Sequence, residues 1–268
     1  MTQLTFKELI AFLHSKYPSS LAEDWDPIGL HFGHENHEVK KVMVALDIRP
    51  QVLEEALDHK VDTLVLHHPP IFNPIKRFNL ADPQIKLYQG VIKAGLNVFA
   101  MHTNFDRARG GMNDLLTGHL GLESVKDFGS ADPEFLGMGR WGSLQSPMPR
   151  SQLLAFLKDK LNRKVLTLIE KSPKDTYQTI AVVGGSGASF IEEVDQLEID
   201  VFITGDITYH AAHDLYERSY LTIDASHYIE QIFISAVTQE INQQASKLSW
   251  PIEVLPSQVS TDPFDYYY

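Results

Sequence analysis

Three short stretches gather side chains able to bind a metal. His67-His68 is followed at once by Pro69-Pro70; His102-Thr103-Asn104-Phe105-Asp106 ends in a carboxylate; Asp224-Ala225-Ser226-His227-Tyr228-Ile229-Glu230 combines both donor types. A His pair alone is weak evidence, because 12 His in 268 residues give roughly 0.5 such pairs by chance. Taken together, His67, His68, Asp106, His227 and Glu230 are three imidazoles and two carboxylates. Their formal charge nearly balances two divalent cations once a bridging hydroxide is counted. Two metals about 3.5–4 Å apart form a common hydrolytic centre. For any one of these residues, capping a strand end or bonding to backbone is the simpler account; the set as a whole favours a metal site. His102 and His210 are the acid–base or ligand-orienting candidates, since imidazole titrates near neutrality. The chain has no cysteine, which excludes thiolate ligands, disulfides and a Cys nucleophile. No Ser-His-Asp set is evident either, so covalent catalysis is disfavoured.

The elements around these residues are those of an α/β protein. Leu64-Val65-Leu66 is a short apolar run of the kind buried on both faces of a sheet. Proline cannot donate to a ladder, so that strand stops near His68, at the carboxyl end where open α/β sheets hold ligands. Asn97 to Met101 reads as a second such strand and runs into His102. Lys41–Leu46 reads as a strand, and residues 50–59 and 83–94 as helices. Residues 4–16 have helical apolar spacing, with Thr5 as N-cap and Glu8 three residues on. Trp25-Asp26-Pro27-Ile28-Gly29-Leu30 reads as a turn-rich connection, and a helix is predicted from Asn113 to His119.

From about residue 125 the composition shifts toward Gly, Pro and Ser, and a second domain is expected to begin there. It should contain a strand around 139–144, a helix over 151–161 capped by Ser151, and strands at 165–169 and 180–183. Gly184-Gly185-Ser186-Gly187 reads as a tight strand-to-helix turn, lacking the residues of a nucleotide fingerprint. A helix over 207–218 would place His210 and His213 one turn apart. A strand at 220–223 then leads to a long helix, with His227 and Glu230 on one face of its first turn and Asp224 or Ser226 as cap. The aromatic tail, ending Tyr266-Tyr267-Tyr268, is expected to dock on the body or on a neighbouring subunit. Residues 44–66 align without a gap on residues 182–204, an offset of 138. The few identities leave two accounts open, a duplication or the ordinary likeness of all βαβ units.

Composition bounds the partners. The net charge of −12, from 23 basic and 35 acidic residues, and the absence of a basic run argue against nucleic-acid binding. An apolar content of 43% and charged content of 22% are globular values. No stretch approaches membrane-spanning length. The first residues lack a signal-peptide pattern, so a cytoplasmic protein is expected.

The motifs quoted above, with Gly110-Gly111-Met112-Asn113 and Gly205-Asp206-Ile207-Thr208-Tyr209-His210, resemble the NIF3-like family, also known as GTP cyclohydrolase I type 2 homologues. The likeness runs from residue 5 to about 262. It implies two α/β domains of NIF3-like type, each a β-sheet flanked by helices. Residues 1–125 with about 220–268 would form the metal-binding domain, and 126–219 the second. Matched by motif, the metal ligands fall on His67, His68, Asp106, His227 and Glu230; some members place the last Glu one position later, where this chain has Gln231. The resemblance further implies two divalent ions per subunit (Zn, Fe, Mn or Co) and a ring-shaped homohexamer. It also implies the short form, without the inserted middle domain of longer members. The activity implied is hydrolytic opening of the guanine imidazole ring of GTP by metal-activated hydroxide. The same five ligands would equally serve a phosphoesterase or amidohydrolase, or a non-enzymatic metal-binding scaffold.

Overall fold

The computed structural model, which describes residues 3–130 and 135–267, holds two large sheets and a two-stranded one that pairs Leu4–Thr5 with Glu38–Val39. The chain divides into two compact units. The first is Met1–Phe105 with Phe233–Thr261; the second is Asp106–Ile232 with Asp262–Tyr268.

The first unit holds a five-stranded sheet. Its order is Glu253–Pro256, Lys41–Ala45, Thr63–Leu66, Asn97–Ala100 and Gly29–Phe32. The first four strands are parallel and the last is antiparallel. Every residue of Thr63–Leu66 and Asn97–Ala100 is buried, as expected for parallel strands covered on both faces. The crossover helices Pro50–Asp58 and Pro83–Ala94 each open on proline, whose missing N–H would have had no helical partner at that position. Helix Phe6–Lys16 begins with the predicted capping box of Thr5 and Glu8 and buries Phe6, Leu9, Phe12 and Leu13.

The second unit holds a six-stranded sheet, in the order Glu123–Phe128, Gly139–Pro149, Thr176–Ser186, Val201–Gly205, Leu221–Asp224 and Thr167–Ile169. The middle pairs, Thr176–Ser186 with Val201–Gly205 and Val201–Gly205 with Leu221–Asp224, are parallel; the outer pairings are antiparallel. Gly139–Pro149 and Thr176–Ser186 are much longer than the sequence suggests, because they pair with each other along most of their length. Gly184 and Gly185 therefore belong to a strand and not to a loop. The turn into the next helix comes later, at Ala188–Phe190.

Register supports duplication over chance likeness. Val42 faces Thr63 in the first sheet, and Ile180 faces Val201 in the second, both shifted by 138 positions. The antiparallel edge strands pair alike, Gly29 and Leu30 against Ala100 and Phe99, Thr167 and Leu168 against Asp224 and Ile223: the edge strands keep the offset of 138, while their partners stand 124 positions apart, 14 fewer. A side-chain-to-backbone contact repeats as well. Asp62 Oδ2 accepts the N–H groups of Lys40 and Lys41, and Asp200 Oδ2 those of Gln178 and Thr179.

Three expectations need correction. Strand Leu221–Asp224 and the turn His227–Gln231 lie in the second unit, so the return to the first unit starts only at Phe233. His227 and Glu230 sit in a 3-10 turn that precedes the long helix Ile232–Leu248, not in that helix itself. Helix Arg150–Lys160 has Pro149 at its cap position and no side-chain cap, so Ser151 does not cap it. In the tail, Asp262 and Tyr266 bond to Arg163, while Phe264 and Tyr267 are exposed. Among the described residues, no helix is long and apolar enough to cross a membrane.

Candidate metal centre

In the first unit, two adjacent parallel strands end in imidazoles. Thr63–Leu66 delivers His67 and His68, and Asn97–Ala100 delivers His102. One nitrogen from each of His67, His68 and His102 falls within 4.8 Å of the others. His67 is buried and its neighbours are partly exposed.

Each ring is fixed through Nδ1. His67 Nδ1–H donates to the Met101 carbonyl at 2.8 Å, His68 to Asp47 Oδ1 at 2.8 Å, and His102 to Asp26 Oδ1 at 3.0 Å. A carbonyl or carboxylate oxygen only accepts, so Nδ1 must carry the hydrogen, and in the neutral ring the lone pair is then on Nε2. This is how proteins orient imidazole ligands toward a metal. Burial pushes Asp47 up in pKa, but the His68 imidazole and the Thr261 hydroxyl outweigh it and hold the carboxyl below its usual range. Burial likewise pushes Asp26 up, and His102 with the Thr103 hydroxyl and N–H overcomes it.

The second unit repeats the device with other residues. His227 Nδ1–H donates to Asp206 Oδ2 at 2.7 Å, and His227 Nε2 lies 3.0 Å from Glu230 Oε2. In the neutral ring with its hydrogen on Nδ1, that last contact sets two lone-pair atoms side by side, an arrangement suited to a shared cation; in the imidazolium it is an ion pair. Glu230 is buried, and Asp106 offers a carboxylate oxygen within 4.8 Å of one of its own. Asp106 is itself buried.

Backbone geometry makes room for this cluster. A Cβ on Gly185, whose φ is +62°, would stand 2.8 Å from Glu230 Oε1 and 3.3 Å from His227 Nε2. Asp206 and Ser226 also hold positive φ, at 54° and 71°. For non-glycine residues such conformations cost about 1–3 kcal/mol each and gather at functional sites.

Of the predicted set, the structure brings His67 and His68 together with His102 in the first unit. In the second it gathers Asp106 and His227 around Glu230. The donor chemistry of both clusters fits a divalent cation. His210 is exposed on helix Tyr209–Tyr216, meets Tyr209 edge to face, and joins no metal-capable group among the described residues. Gln231 follows Glu230 in the same turn, and it is Glu230 that faces His227. Asp26 and Asp47 escaped the sequence reading. Asp47 does carry a signal: Lys41–Ala45 is a parallel neighbour of the His67 strand, and ligand-binding groups gather beyond the carboxyl ends of such strands.

A family model described as Duf34/NIF3 (NGG1p interacting factor 3) matches residues 4–263. A Streptococcus pneumoniae protein named GTP cyclohydrolase 1 type 2 homolog is 35% identical over 262 residues, covering 97% of this chain and 98% of that one. A Lactococcus lactis protein of the same name is 33% identical over 251 residues, 92% of this chain and 93% of its own. The crystal structure of a Bacillus cereus protein related to NIF3 matches in fold with a TM-score of 0.93 at 24% identity, over the whole of both chains.

Proposed function

The chain belongs to the Duf34/NIF3 family, and from that premise we propose that it is a metal-dependent hydrolase opening the imidazole ring of a guanine nucleotide. His67, His68, Asp106, His227 and Glu230 are the proposed ligands of two divalent ions. The observation that carries this reading is the shared anchoring of the rings: His67, His68 and His227 each donate Nδ1–H to an acceptor-only oxygen, and each belongs to a group of His, Asp and Glu side chains compact enough for a metal ion. Bound divalent ions would act as Lewis acids and make water nucleophilic near neutral pH.

The chain's own residues supply the rest. Asp26 fixes the His102 ring, so its Nε2 is the basic atom of the first cluster best placed to take a proton. His102 is therefore preferred over the exposed His210 as proton carrier. Water adding at C8 breaks the C8–N9 bond and leaves a formamido group; a second water releases formate. Self-association into a ring-shaped hexamer in the cytoplasm belongs to the same proposal.

The test uses GTP with metal-loaded protein. Formate release with the triphosphate intact is expected, lost with chelator and restored by metal. Phosphate release with unchanged guanine absorbance would move the assignment to a phosphoesterase. Neither product, across several metals and nucleotides, would leave a binding role. Light scattering at the 30.3 kDa monomer mass would remove the hexamer.

A further inference from the structure

Two large aromatic side chains beside His102 are left in solvent. Trp25 is 60% exposed and Phe72 is 49% exposed. Their rings lie 5.8 Å apart, and each also meets the His102 ring, at 6.2 Å from Trp25 and 6.4 Å from Phe72. Three rings thus converge on the imidazole cluster with an open aromatic face.

The arrangement is held from both sides. Asp26, next to Trp25, accepts the His102 Nδ1–H and both donors of Thr103, and the Glu23 N–H donates to the Thr103 hydroxyl at 2.9 Å. Trp25 is thereby tied to the turn that carries His102. Phe72 follows His68 across Pro69 and Pro70, whose backbone is stiff, and the Tyr88 hydroxyl donates to the Pro70 carbonyl. A platform fixed before binding spares a ligand the entropy of ordering it. A flexible surface aromatic would have neither tether.

We propose that Trp25, with Phe72 at its edge, is the stacking platform for a planar heteroaromatic ring, which it holds against His102. This deepens the hydrolase reading above and rests on it. The ligand class is a nucleobase-like heterocycle, because a flat π face beside a ring-nitrogen base recognises flat, hydrogen-bonding rings and gives nothing to a bare phosphate.

The test compares metal-loaded wild type, Trp25→Ala and Trp25→Phe. Each is titrated with guanosine, GTP and inorganic tripolyphosphate by equilibrium dialysis, with tryptophan fluorescence of the wild type in parallel. Guanosine and GTP should quench the wild type. Trp25→Ala should weaken both by about tenfold or more, the scale of one lost base–aromatic stack. Trp25→Phe should restore most of that affinity, and tripolyphosphate should bind all three proteins alike. Wild type that binds neither ring compound overturns the platform, as does unchanged affinity in Trp25→Ala or an equal loss for tripolyphosphate. An altered oligomer mass in Trp25→Ala with ring affinity intact would assign the face to a second copy of the chain and also overturn it. Formate release, read on the same samples, separates the two claims. Ring binding without formate defeats the hydrolase and leaves the platform. Formate undiminished in Trp25→Ala defeats the platform and leaves the hydrolase.

Discussion

Asp62 and Asp200 serve the two sheets identically, whereas the residues at the carboxyl ends of the same strands do not. In both sheets the aspartate at the start of the central strand gathers two backbone N–H groups from the neighbouring strand. In both, a backbone bond closes the third strand: Met101 N–H to the Leu66 carbonyl, Ala225 N–H to the Thr204 carbonyl. Past that point the copies part. Where one has His67-His68, the other has Gly205-Asp206. The short turns that follow the third strands, Thr103–Arg107 and His227–Gln231, carry Asp106 and Glu230 at the same step. The first position of those turns is Thr103 in one and His227 in the other. The frame was kept and the donors were redistributed: one copy carries imidazoles after its central and third strands, His67, His68 and His102, and the other carries His227 after its third. Site chemistry can change on a fixed frame because strand ends bear little of the packing.

The sharpest way to break this comparison is at Asp106 and Glu230. If they are equivalent carboxylates of one centre, Asp106→Asn and Glu230→Gln should each lower metal affinity by more than the roughly 10–100-fold typical of an orienting partner. Both changes keep volume, so circular dichroism should stay native. Asp47→Asn and Asp206→Asn should fall within that 10–100-fold range, with Asp47 the larger. Its side chain is 21% exposed against 48% for Asp206, so solvent competes less. Competition with a metallochromic chelator measures all four. Full metal binding by Glu230→Gln beside a metal-free Asp106→Asn would end the equivalence.

A smaller effect tests the frame alone. Asp62→Ala and Asp200→Ala each free two backbone donors that water can partly reach, and each should cost about 1 kcal/mol in urea unfolding. Their pH behaviour adds a check at Asp200. Burial pushes its pKa up, but the Lys174 ammonium and the Thr179 and Gln178 N–H groups more than offset that and hold it below the usual range. A depressed carboxylate contributes its stability above the unfolded pKa, about 3.9, and loses it as pH falls through the folded value. The gap between wild type and Asp200→Ala should therefore be full at neutral pH and close below about pH 4. A gap that widens in acid would refute this sign.

Much of this frame was readable in the chain. Leu64–Leu66 and Asn97–Met101 announce themselves as buried strands by unbroken apolar character, and their polar ends point to the site. Gly29–Phe32 was not readable: four residues in a Pro- and Gly-rich stretch, half exposed on a sheet edge, show no period. Glu253–Pro256 hid for a similar reason, an edge strand ending in proline. Gly184 and Gly185 looked like a loop because glycine usually marks one; here the missing side chains leave space for Glu230 and His227. Asp26 lies 76 residues before the His102 it orients, and no local pattern encodes a contact of that range. The division of the chain was misplaced for a related reason. Composition shifts near residue 125, yet Glu123–Phe128 already pairs within the second sheet, and the chain enters that unit at Asp106.

The weakest contrast concerns how each copy starts its first helix. Phe6–Lys16 opens with a reciprocal cap, in which the Thr5 hydroxyl accepts the Glu8 N–H and the Glu8 carboxylate accepts the Thr5 N–H. It also packs Phe6, Leu9, Phe12 and Leu13, while Arg150–Lys160 buries Leu153 and Leu157 and has no side-chain cap. Thr5→Ala should therefore destabilise by about 1 kcal/mol. Ser151→Ala should change stability by less than about 0.5 kcal/mol, as exposed substitutions away from such features do. Matched thermal melts of the two variants decide it. An equal loss at both positions would mean that Ser151 supports its helix in a way the Pro149 start does not reveal. An effect at Thr5 alone would show that the copies keep their strand register while differing in how their helices begin.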